Sequence, residues 1–180
     1  MPDTASDLPL HAALTEALRS QFRAALITLA RAVDAAEGEL WTEPVAVRPC
    51  WEAALHVTYF AHLYLTPAGE PHPPLPEWVR PDALSFGYSW DPPYVPVDTG
   101  APPERERVRA WIDGAIEKVD RVLPRETPEA LLGPSGFEWR KIPRVEMHLY
   151  HLRHIQHHAA QIVAMLRRHG REVEWVGTGV

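Results

Sequence analysis

Apolar residues recur at helical spacing in four separate stretches of the chain. From residue 8 to residue 37, Leu14, Leu18, Phe22, Leu26, Leu29 and Val33 step by three or four positions, which predicts one buried face on a long amphipathic helix. Ser6 or Asp7 can cap its start, and Gly38 can end it. A second helix is predicted from about Val47 to Leu65, over "RPCWEAALHVTYFAHLYL", with Pro67 and Gly69 as its stop. A third runs from about Glu104 to Leu123 and carries Val108, Trp111, Ile112, Ala115, Val119 and Val122 as its apolar stripe. Pro102 and Pro103 stand at its entry, where proline is tolerated. The fourth spans about Pro143 to His169 and ends at Gly170. Residues 124–142, with Pro, Gly and Ser, read as a loop, and neither a strand of useful length nor an internal repeat is visible.

Between the second and third helices the pattern breaks. Residues 66–103 are rich in proline, as in "PAGEPHPPLPEWVRP" and "WDPPYVPVDTGAPP", and proline interrupts helices. Trp78, Phe86, Tyr88, Trp90 and Tyr94 give this stretch rings to bury, so it does not read as a disordered linker. A connection of about 38 residues easily returns the length of an 18-residue helix, roughly 27 Å. The expected fold is therefore all-α: one domain over residues 1–180, a four-helix bundle with a long Pro-rich crossover between helices two and three.

Composition narrows the function. The net charge is −6, and the few basic residues near the chain end, Arg167, Arg168 and Arg171, form no cluster, so no nucleic-acid partner is expected. Cys50 is the single cysteine, which excludes a disulfide framework and a Cys-rich zinc site; it reads as a small buried hydrophobe. The N-terminal stretch is polar, and no apolar run approaches the roughly 20 residues that span a bilayer. A reduced, cytoplasmic protein without a membrane partner is the expectation.

Chemistry gathers in the fourth helix. "HLYHLRHIQHHAAQI" holds five of the ten histidines. At about 100° per residue, Met147, His151, His154, His158, Gln161 and Met165 share one side, and Leu149, Leu152, Ile155, Ala159, Ile162 and Leu166 share the other. His148 and His157 fall off the first line. His154 and His158 are one turn apart, a spacing at which two imidazoles can hold one ion, although such a pair can equally be two partly exposed side chains. A third ligand must come from elsewhere. His56, with Tyr59, Phe60 and Leu63 on the second helix, is the best candidate, against the alternative of a hydrogen-bonded core histidine. His62 lies on a different face, His72 in the connection, and His11 and His169 at helix ends.

The segments "CWEAALHVTYFAHLYL" and "LYHLRHIQHHAAQIVAMLRR", with the long connection between them, resemble the DinB-like (DinB/YfiT) superfamily of metalloenzymes. That resemblance implies a four-helix bundle holding a divalent metal, Zn²⁺ or Ni²⁺, with His56, His154 and His158 as ligands. His151 stands where relatives often carry a polar residue such as Asn. It is expected to support a ligand, line the pocket, or simply face solvent. Relatives include transferases and isomerases that use a low-molecular-weight thiol such as bacillithiol or mycothiol. Many of them read Arg-Gly-Gln where this chain has Ala159, Ala160 and Gln161, and that departure weighs against the thiol.

Three neutral imidazoles leave a divalent ion its full charge and an open position. The expected function is therefore a metal-dependent enzyme on a small-molecule substrate, either a hydrolase or a thiol-dependent transferase. Glu52, one turn before His56, is a candidate base or orienting group, or else a surface carboxylate. Gln161 shares the ligand face. Trp90 and Tyr94 either close over the site or pack the connection. The alternatives are a metal- or ligand-binding protein without turnover and a bundle with structural histidines. A homodimer is expected from the second apolar face of the fourth helix and the alanine-rich first helix.

Overall fold

In the computed structural model, residues 10–46, 48–85 and 98–179 are described here. Five α-helices form among them: α1 (Leu10–Ala35), α2 (Cys50–Tyr64), α3 (Arg105–Val122), α4 (Pro128–Leu132) and α5 (Arg144–Arg168). The expectation of a four-helix bundle is thus corrected to five helices. The added one, α4, is a single turn inside the stretch read as a loop. Thr127 caps it by accepting a hydrogen bond from the Ala130 amide at 3.2 Å, and Pro128 supplies a preset φ at its first position. Leu131 anchors it in the core, and one buried side chain leaves no periodicity to detect.

The predicted long helices appear, each ending one or two residues short at its C-terminus; the expected start of the first, with Ser6 or Asp7 as its cap, lies outside the described residues. Gly38 and Gly170 adopt φ of +58° and +71°, the left-handed backbone that suits glycine beyond a helix end. α2 starts later than expected because Arg48–Pro49 is extended and pairs antiparallel with Pro44–Val45. These two-residue strands are too short to announce themselves by alternation. Of the Pro-rich crossover, residues 86–97, with Phe86, Tyr88, Trp90 and Tyr94, lie outside the described residues. The part before them packs onto the bundle through Val79, Ala83, Leu84 and Trp78, whose ring meets Trp111 of α3 edge-on at 5.6 Å.

α1 packs on α3 and α5, and α2 packs on α5 and α3. α2 is apolar almost all round, as expected for a helix enclosed on several sides. α5 buries both of its predicted faces within the chain: Met147, His151, His158 and Met165 on one, Ile155, Ala159, Ile162 and Leu166 on the other. Leu149 stays about half exposed. In α1, Ala24, Ala25, Ala30 and Ala32 are buried, whereas Ala13 and Ala17 are exposed. Residues 171–179 run back over that helix, with the Val176 amide on Thr28 Oγ1 (3.2 Å), Arg23 Nε on the Gly179 carbonyl (2.7 Å) and the Gly179 amide on Ser20 Oγ (3.2 Å).

A buried polar knot fixes the entry of α5. Arg144 is 1 % exposed, and its Nε and Nη2 both donate to Glu126 Oε1, at 3.0 and 2.9 Å. Its Nη1 donates to the carbonyls of Tyr64 and Thr66 at the end of α2. His148 Nε2 lies 3.2 Å from the same Glu126 oxygen. This knot sets the register of α5 against α2, and so of the histidines they carry. Among the described residues, no helix is long and apolar enough to cross a membrane.

Candidate metal centre

α2 places His56, and α5 places His154 and His158 one turn apart, facing it. Each of the three offers a ring nitrogen, and these atoms all lie within 4.8 Å of one another. His56 Nε2 is 3.0 Å from His154 Nε2. The ring centroids are 5.0 Å (His56–His154), 4.9 Å (His56–His158) and 4.8 Å (His154–His158) apart. The chain thus forms a cluster of three histidines able to hold a metal ion.

Neighbouring groups decide which nitrogen faces inward. His56 Nδ1 lies 2.7 Å from the Leu84 carbonyl, which can only accept, so Nδ1 carries the proton and Nε2 presents its lone pair to the cluster. The crossover that supplies Leu84 is therefore part of the site. His158 Nδ1 lies 3.0 Å from Gln161 Oε1, which fixes the same tautomer and makes Nε2 the nitrogen that carries the lone pair. Phe60 packs on His56 and His154, at 4.7 and 5.5 Å between ring centroids, and walls the site with apolar surface.

All three imidazoles are held neutral. Burial pushes His56 and His154 down to about 3 and His158 down to about 4, with the neighbouring histidines adding to the shift. Neutral imidazole is the form that ligates. The arrangement fits a metal on a second count. His154 Nδ1 is buried without a hydrogen-bond partner among the described residues, so a proton shared between the two Nε2 atoms would leave His154 with an orphaned lone pair. Ligands at about 2.1 Å in a tetrahedral shell lie about 3.4 Å apart, a value bracketed by the 3.0 Å pair and the 4.8 Å limit. Small side-chain rotations would close the shell.

The other histidines are elsewhere. His157 is exposed, and His148 is committed to Glu126. His62 stacks on Trp111 and contacts its carbonyl at 2.9 Å. His151 neither faces solvent nor joins the cluster. It is fully buried, with its ring 4.9 Å from Phe22 and 5.4 Å from Tyr64, and neither nitrogen has a partner among the described residues. Burial holds its pKa well below the ordinary value. Glu52 is not a surface carboxylate: it is 3 % exposed, accepts from Thr99 Oγ1 at 2.8 Å and lies 4.0 Å from Arg48 Nε. It ties α2 to the end of the crossover and lies outside the three-histidine cluster. Trp90 and Tyr94 fall outside the described residues.

Beside the cluster lies a cavity of about 540 Å³, reached by His56 and His154. Tyr59, Phe60, Tyr64 and Tyr150 form its walls, and Trp139 and Arg140 its rim. Tyr59 and Phe60 were visible on the buried stripe of the second predicted helix. Trp139 and Arg140 were not, because they sit in the aperiodic segment between α4 and α5. A cation beside aromatic residues in "GFEWRK" was the only signal there. No protein-family model, curated protein or solved structure matches this chain.

Proposed function

We propose that the protein is a metal-dependent enzyme that acts on a small molecule, holding Zn²⁺ or Ni²⁺ with His56, His154 and His158 in a DinB-like bundle. The observation that carries this reading is the convergence of three neutral imidazoles, two of which, His56 and His154, reach an aromatic cavity. A nitrogen-only ligand set suits zinc and nickel better than magnesium or calcium. The likeness of the segments around His56 and His154–His158 to DinB-like proteins points the same way.

A divalent ion held there would supply Lewis acidity at a position open to the cavity. The chain's own residues do the rest. The Leu84 carbonyl and Gln161 orient two of the ligands. Phe60 lays an apolar ring against His56 and His154 where they meet the cavity. Tyr59, Tyr64 and Tyr150 shape the space in which a substrate lies against the histidines. Hydrolysis of a small ester or amide is the reading favoured over thiol transfer, because Ala159 and Ala160 stand where many DinB-like relatives carry Arg-Gly.

The test is a screen of small esters, amides and thiol-transfer substrates with the metal-loaded protein, with and without chelator. Turnover that chelation abolishes and Zn²⁺ or Ni²⁺ restores is expected. A metal-loaded protein inactive on every class would refute the enzymatic reading and leave a metal-binding protein without turnover.

A further inference from the structure

The cavity beside the histidines carries one charge that nothing in the described chain balances. Arg140 stands at its rim. Its Nη2 donates to Tyr150 Oη at 3.0 Å, and its guanidinium carbon lies 4.2 Å from the centre of the Tyr150 ring. No carboxylate pairs with it among the described residues, and its Nε is buried without a hydrogen-bond partner. The contrast with Arg144 is direct: that guanidinium is buried against Glu126 and three carbonyls, so it is a finished structural element. Arg140 is instead held by an aromatic ring and a hydroxyl, which fix its position and leave its charge unspent. A planar guanidinium with free donors is suited to a carboxylate.

The remaining walls specify the body of the ligand. Four aromatic rings, from Tyr59, Phe60, Tyr64 and Tyr150, surround a space within the usual range for small-molecule pockets. Rings in offset or edge-on arrangements favour a flat apolar group between them. We propose that this cavity binds a small aromatic carboxylate, with the ring system between the tyrosines and the carboxylate on Arg140. The far end of the ligand then faces His56 and His154, and that orientation rests on the metal reading; binding to Arg140 does not. Arg140 acts as the residue that selects for negative charge.

The test uses 2-naphthoate and its neutral analogue 2-naphthamide as fluorescent probes, titrated into metal-free and Zn²⁺-loaded protein. Wild-type protein in both forms is expected to bind the carboxylate at least about tenfold more tightly than the amide, because a charge-assisted bond to a guanidinium exceeds the 1.4 kcal/mol that a tenfold change represents. Arg140→Gln should weaken naphthoate by about tenfold, leave naphthamide unchanged, and keep the wild-type helical circular dichroism and Zn²⁺ content. Equal affinity for the two probes in wild-type protein overturns the proposal without any variant. So does the absence of binding, or naphthoate binding unaltered in Arg140→Gln. Charge selectivity in a protein that takes up no Zn²⁺ would support the pocket and sink the metal reading, whereas Zn²⁺ uptake without charge selectivity would do the reverse.

Discussion

Lowering the pH should strongly destabilise the metal-free protein at a pH where most carboxylates are still ionised. An unfolded imidazole titrates near 6.5, whereas His56 and His154 titrate at about 3 and His158 at about 4 in the fold, chiefly because burial opposes their charged form. Below pH 6.5 the unfolded chain therefore binds protons that the folded chain refuses. Stability contributed by such groups is complete above the unfolded pKa and is lost as the pH falls. From pH 7.5 to pH 5.5 each of the three contributes a loss of about 1.4 kcal/mol, together about 4 kcal/mol. His62, His148 and His151 are also shifted down by burial and act in the same direction. Against the 5–15 kcal/mol that is typical of a folded domain, about 4 kcal/mol is a large share. Urea denaturation of the chelated protein, followed by far-ultraviolet circular dichroism at pH 7.5, 6.5 and 5.5, measures the slope. In His154→Phe the loss should be smaller by about 1.4 kcal/mol, whatever that variant's stability at pH 7.5. Equal stability at pH 7.5 and 5.5 would refute the assignment of these imidazoles as buried and neutral.

Two substitutions probe the groups that position the cluster. Glu126→Ala removes the carboxylate from a guanidinium that is 1 % exposed, and should cost about 3–5 kcal/mol, read as a fall in the thermal midpoint of roughly 6–20 °C. Gln161→Leu removes the acceptor on His158 Nδ1 and should weaken Zn²⁺ affinity by about 10–100-fold in a competition titration, with the stoichiometry unchanged.

The long helices were legible because burying one face forces a period that the sequence must carry; α1, α3 and α5 keep their predicted stripes. The three-histidine cluster was legible only in part from the period: His154 and His158 share a turn and His56 lies on an inward stripe, but it was the resemblance to DinB-like proteins that implied the three together. What was hidden depends on contacts without a period. α4 is held by one cap and one leucine. Glu52 is buried by Thr99, 47 positions later. Arg140, at the cavity rim, lies in a loop held by non-periodic hydrogen bonds, the Ser135 Oγ donating to the Arg140 carbonyl and the Ser135 amide to the Ile142 carbonyl. His151 shows the limit of face geometry: it shares a side with His154 and His158, but one turn earlier that side meets Phe22 of α1 instead of His56.

The most direct measurement is metal stoichiometry. Purified protein, stripped and then titrated with Zn²⁺ and with Ni²⁺, should take up one ion per 20.3 kDa chain, and His158→Ala should lose that uptake while keeping its helical circular dichroism. Folded wild-type protein that binds neither ion, or a His158→Ala variant that binds as tightly as wild type, would contradict a metal centre built from His56, His154 and His158.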